Sequence, residues 1–179
     1  MTLTIEAIRA TEDNEELVHL FIAELRRLLP DSVREDREHF QQTLDSFPRG
    51  LRAMAGMEEF DLSMALDGLA WHFENHHDER DFEETLNGLR EFELPEIAEM
   101  FAQMCEFMKP HLATLQSGDF GGKKFSDWFE DIGAEDFAHD KDLYIWDYCD
   151  KLGKLGMLET WPKYARKYPE QCVAAEALL

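Results

Sequence analysis

The chain has 179 residues, 44% of them hydrophobic and 12% aromatic, enough for one domain to build a core without disulfides or structural metals. Its 39 Asp and Glu against 18 Lys and Arg leave a formal charge of -21, a field that repels nucleic acid and anionic membranes and attracts basic partners. Cys105, Cys149 and Cys172 form no CxxC or Cys/His zinc spacing, the start has no signal-peptide pattern, and no run approaches the roughly 18 apolar residues of a membrane span, so a cytoplasmic protein is expected.

Helical signals run from end to end and strand signals are nearly absent. Asp13 and Glu16 have capping-box spacing, and Leu17, Leu20, Phe21, Leu25, Leu28 and Leu29 follow at three- and four-residue steps up to Pro30. Ser32 and Glu35 predict a second box, with Val33, Phe40, Leu44 and Phe47 on one face and Pro48 as the stop. Gly50 to Gly56 predicts a turn, and Glu58 to Phe73 a helix with Leu62, Leu66, Leu69, Ala70 and Phe73 on its apolar side. A polar connection over residues 74–80 leads to a helix carrying Phe82, Leu86, Leu89 and Phe92. Pro95 then opens a helix apolar enough to occupy the centre of the bundle. Residues 117–124, with three glycines, form the clearest loop and the only candidate sub-boundary. After it come Phe125 to Ile132, a helix starting after His139-Asp140, breaks at Gly153 and Gly156, and a last helix across Pro162 to Tyr168. The fold expected is all-α, a single-domain irregular bundle of about seven to nine helices.

Chemical motifs are sparse. His72 and His76 are four apart, the spacing that stacks two imidazoles on one helical face and that zinc helices use. A third ligand would come from Asp78, Glu79, His111 or His139. Position 73 is Phe, so no metalloprotease motif exists, and a helix end with a solvated loop explains the segment more simply. Glu16-x-x-His19 and Asp36-x-x-His39 have the form of di-metal ligand pairs but fall off the apolar faces. No serine sits in a nucleophile elbow, and residues 118–124 lack the order of a phosphate loop. No cofactor is implied. The four tryptophans read as core, with Trp161 the one most readily placed at an interface.

The acids are unevenly distributed: residues 51–100 carry 14 against 3 bases, whereas residues 151–179 carry 3 against 5. A compact bundle with this excess repels itself, and one use for such a surface is a basic partner. Double-stranded DNA presents a charge about every 1.7 Å of axis, and carboxylates at one-turn helix spacing approximate part of that array. The leading expectation is a non-enzymatic module that engages a basic, nucleic-acid-binding protein as a DNA mimic, through Glu74, Asp78, Glu79, Asp81, Glu83, Glu84, Glu91 and Glu93. Direct nucleic-acid and membrane binding are not expected. The rival is a metal-binding helical protein, in one form a hydrolase, using His72 and His76 with nearby carboxylates.

The stretch Leu66-Asp67-Gly68-Leu69-Ala70-Trp71-His72-Phe73-Glu74-Asn75 is similar to a segment of small acidic bacterial all-helical proteins of mostly unknown function, which include a dimeric DNA mimic. Leu86-Asn87-Gly88-Leu89 and Tyr164-Ala165-Arg166-Lys167-Tyr168 extend the resemblance. Asp67 stands where that pattern has a glycine and Leu69 where it has an aromatic residue. The resemblance implies an all-helical fold, homodimerisation and no known catalysis.

Overall fold

A computed structural model describes residues 2–174, which form α-helices and short 3-10 turns with no strand among the described residues. The helices are α1 (Ile5–Ala10), α2 (Asn14–Leu28), α3 (Asp31–Arg34), α4 (Arg37–Asp45), α5 (Arg49–Leu66), α6 (Gly68–Asn75), α7 (Glu79–Glu91), α8 (Pro95–Met108), α9 (Leu112–Ser117), α10 (Phe125–Asp131), α11 (Ala134–Leu152) and α12 (Thr160–Lys167). Eight of them have eight residues or more, in line with the all-α expectation.

Short polar side chains start several helices by accepting an otherwise unpaired backbone N–H. Asp13 accepts from Glu16 N at 2.8 Å to open α2, and Asp36 accepts from His39 N at 3.0 Å to open α4. The second capping box predicted at Ser32 does not form. Helix α3 begins one residue earlier, behind Pro30, and lasts four residues before Asp36 restarts the chain as α4. A terminal aspartate competes well for a free N–H, and here it divides what the apolar spacing reads as one helix.

The predicted turn at Gly50 to Gly56 is instead the first half of α5. Its glycines are sites of close approach. A Cβ on Gly56 would stand 2.5 Å from the Glu84 carbonyl oxygen of α7, and one on Gly88 would stand 2.7 Å from the Ala53 carbonyl oxygen of α5. The two helices thus touch backbone to backbone, which only glycine allows at both points. The real break lies at Asp67-Gly68, where Gly68 takes φ +75° and the chain turns from α5 into α6. Helix α11 starts at Ala134, earlier than predicted, because Gly133 alone supplies the left-handed turn after α10.

Helix α5, not the expected α8, is the central element. It packs against α2, α4, α6, α7, α11 and α12, burying Leu51, Met54, Met57, Phe60 and Met64. Helix α8 leaves Glu96, Glu99, Gln103 and Glu106 exposed and buries its other side, including Ile97, Phe101, Met104 and Met108, against α7 and α11. Phe60, Phe73, Phe82 and Phe101 meet with ring centroids 4.8–6.2 Å apart. Each ring removed from water stabilises the fold by about 1.5–3 kcal/mol. At the other end Trp161 is 0% exposed, between Phe21 and Phe92 with centroids 6.4 Å away, so it is core and not the interface residue expected. Trp146 is the most exposed of the four tryptophans, at 40%. Local charge misled that reading, because α12 presents its bases on one face and Trp161, Pro162 and Ala165 on the other.

Candidate functional site

Helix α7 is amphipathic, with Phe82, Thr85, Gly88 and Leu89 buried against its neighbours. A helix docked this closely brings some of its acids inward, and the flanking sequence supplies arginines to meet them. Glu84 is 5% exposed and accepts from Arg52 of α5 through both oxygens. Asp81 pairs with Arg37 of α4 at 3.0 Å. Asp78, which caps α7 through Arg80 N at 2.9 Å, pairs with the same guanidinium at 3.1 Å. Glu91 accepts from Arg49 Nε and from the Tyr164 hydroxyl. Desolvation raises the Asp81 pKa, with Arg37 opposing, and burial together with the Glu91 carboxylate pushes the Tyr164 hydroxyl above its ordinary range.

Four of the eight acids expected at a partner surface are therefore bound to arginines within the fold. Glu74, Glu79, Glu83 and Glu93 are exposed, with no ion pair among the described residues. Glu93 holds φ 59°, and Leu94 N donates to Leu89 O at 2.9 Å, the closure that ends a helix with a left-handed residue. Glu74 sits beside a hollow of about 270 Å³ that also gathers Asp67, Trp71, Glu135, His139 and Asp142 from α6, α11 and the turn before α6. Asp142 accepts from Leu69 N at 2.9 Å, and burial pushes its carboxyl up to about 6. Asp127, Glu130, Glu135, Asp136 and Asp140 extend the exposed acids along α10 and α11, a stretch the sequence reading had not singled out. Its signal was present as a run of acids answered by few bases.

The arginines were also missed. Arg34, Arg37, Arg49 and Arg52 are spread over 19 residues of chain, yet converge on acids from residue 45 to residue 91. Arg49 and Arg52 are three apart in the first turn of α5, so they share a side, and that spacing was the legible part.

His72 and His76 do come together, their rings 4.9 Å apart and nearly parallel at 30°. His72 lies at the helical core, edge-on to Phe60 and Phe101, with Ser63 Oγ 2.9 Å from its Nδ1. Burial holds its pKa well below the usual 6.5. Among the described residues no group of three or more His, Cys, Asp or Glu side chains is arranged to hold a metal ion. His111 packs on Phe107 and Trp128, and His139 lies in the hollow beside Glu74, so neither joins the pair. His19 and His39 are exposed. No described helix is long and apolar enough to cross a membrane.

Residues 45–168 match the family described as DMP19-like protein. The chain belongs to that family. No curated protein and no solved structure gives a significant match. The DMP19-like region begins at the end of α4 and closes at the end of α12, so it contains α5, the whole α5–α7 contact and both histidines. The arginines Arg34 and Arg37 lie outside it, in the N-terminal helices that cover the DMP19-like body.

Proposed function

We propose that this DMP19-like protein is a non-enzymatic acidic module that binds a basic protein in place of DNA, its exposed carboxylates occupying a cleft shaped for phosphates. The observation that carries this reading is the set of exposed carboxylates without arginine partners: Glu74, Glu79, Glu83 and Glu93, continued by Asp127, Glu130, Glu135, Asp136 and Asp140 of α10 and α11. Glu79 and Glu83 are one turn apart on the outer side of α7, about 6 Å along its axis. The internally paired acids, Asp78, Asp81, Glu84 and Glu91, are left out of the surface. The resemblance to a family that includes a DNA mimic supports the same class of partner.

The test is competition. Basic proteins retained by the immobilised chain must be released both by rising salt and by an excess of duplex DNA, since screened charge and a shared cleft are the two claims. Retention indifferent to both, or unchanged when Glu79, Glu83 and Glu93 become Gln, would overturn the reading.

Self-association, the other property the resemblance implies, we place at an apolar strip. Leu62 and Leu66 share one side of α5, Leu143 and Trp146 one side of α11, and the Trp146 indole donates to Met64 O at 2.7 Å to join them. Sedimentation of the parent chain and of Leu66→Asp should differ in mass by a factor of two if that strip faces a second copy.

A further inference from the structure

A second site stands apart from the acidic surface and does not depend on it. Helices α4 to α7 enclose a cleft of about 280 Å³ whose wall includes Phe40 and Leu44, Ala55 and Glu59, and His72 and His76. That volume is just below the range of drug-sized ligand sites, so it suits a smaller molecule.

The hydrogen bonds fix what the histidines can offer. Ser63 Oγ donates its one proton to Glu59 O at 2.6 Å, so towards His72 Nδ1, at 2.9 Å, it accepts. The ring proton of His72 is therefore on Nδ1, and Nε2 keeps a bare lone pair. His72 is only 1% exposed, and that Nε2 has no hydrogen-bond partner. The Nε2 of His76 is likewise buried without one, with Glu59 Oε2 3.9 Å away. Burial favours the neutral form of both rings. Leaving a buried acceptor unpaired destabilises the fold, and a suitable donor would recover that loss.

Charge around the cleft points the same way. Arg34 is matched by Glu58 and Glu59, and Arg37 by Asp78 and Asp81, so two guanidinium groups face four carboxylates. Glu84, also in the wall, is held by Arg52, which in turn also pairs with Asp45. The guanidinium donors are engaged and acceptors are in surplus, the signature of a site for a cation that carries N–H groups. A bare metal ion is not the match, since no three ligating side chains converge there. The apolar part of the wall, Phe40, Leu44 and Ala55, calls for a short hydrocarbon chain.

We propose that this cleft binds a primary alkylammonium group, whose N–H donors reach His72 Nε2 and the Glu59 side while its chain lies against Phe40 and Leu44. The group belongs either to a free small amine or to a lysine side chain.

Imidazole 15N NMR of the labelled full chain at pH 7.5 tests this without any substitution. Butylammonium should shift the His72 Nε2 resonance saturably. A response to butylammonium but not to Nα-acetyl-lysine methylamide assigns a free amine, and a response to both assigns the lysine side chain. No saturable shift, or an equal shift with 1-butanol, overturns the proposal. In Glu59→Gln the butylammonium affinity should fall about tenfold, the loss of one charge-assisted contact. An unchanged affinity there would also overturn it.

Discussion

The inner and outer sides of α7 carry the same residue type to opposite ends. Glu84 points at α5, is closed off from water and is held by Arg52, whereas Glu83, its chain neighbour, stands in solvent with no ion pair among the described residues. The inner carboxylates bind one helix to another, and the outer ones contribute field. The lesson is that net charge per segment says nothing about which carboxylates a partner can reach. Helix rotation decides that, because adjacent residues are separated by about 100° around the axis.

The inner pairing depends most on its cation. Arg52→Ala leaves Glu84 buried without its partner and should cost about 3–5 kcal/mol in urea unfolding, while Glu84→Leu in the same background recovers most of it. If Arg52→Ala proves as mild as a surface substitution, Glu84 is not enclosed and does not depend on that guanidinium. Next in size is Gly56→Ala. Within an exposed helix that change helps by about 1 kcal/mol, but here the new methyl meets the Glu84 carbonyl, and a loss of about 1–3 kcal/mol is expected. A higher unfolding midpoint in that variant would remove the backbone contact between α5 and α7.

Protonation acts on the buried groups. His72 has a folded-state pKa well below 6.5, so the unfolded chain binds the extra proton. Its contribution is complete above pH 6.5 and is lost as pH falls below it. Asp61 and Asp142, pushed up to about 6 by burial, act in the opposite sense: the folded state holds their protons between 3.8 and 6, and stability declines as pH rises through that window. Asp61→Asn, which keeps an oxygen for its Met157 contact, should therefore unfold at higher urea than the parent at pH 8, with the advantage gone by pH 3.5. An advantage independent of pH would assign the effect to packing. The smallest expected change belongs to the outer side. Glu79→Gln with Glu83→Gln should leave the unfolding midpoint within about 0.5 kcal/mol, while weakening retention of basic proteins at low salt. A large stability change there would mean that these carboxylates serve the fold after all.

Much of the architecture was legible because it rests on local rules. Three- and four-residue apolar steps in α2, α7 and α8, the Asp13 cap, Pro95 at the first turn and the glycines at 118–122 all act within one or two turns of chain. The misreadings have one cause. Gly50 and Gly56 look like a turn until α7 and the C-terminal residues Tyr164, Gln171 and Cys172 are seen against them, and Trp161 looks like a surface anchor until Phe21 arrives from the far end of the chain. The pairing of His72 with His76 was likewise readable from a four-residue spacing. The cleft around them was not, since its other walls come from α4, α5 and α7.

By itself the sequence determined the helical class, the excess of acid and the candidate residues, because helix periodicity, capping and composition are properties of neighbours along the chain. Only the tertiary structure decided which acids face water, which arginines neutralise the rest and where two imidazole nitrogens lie buried without partners. Those outcomes depend on the rotation and approach of helices far apart in the chain, set by backbone contact at Gly56 and Gly88, which no local pattern encodes.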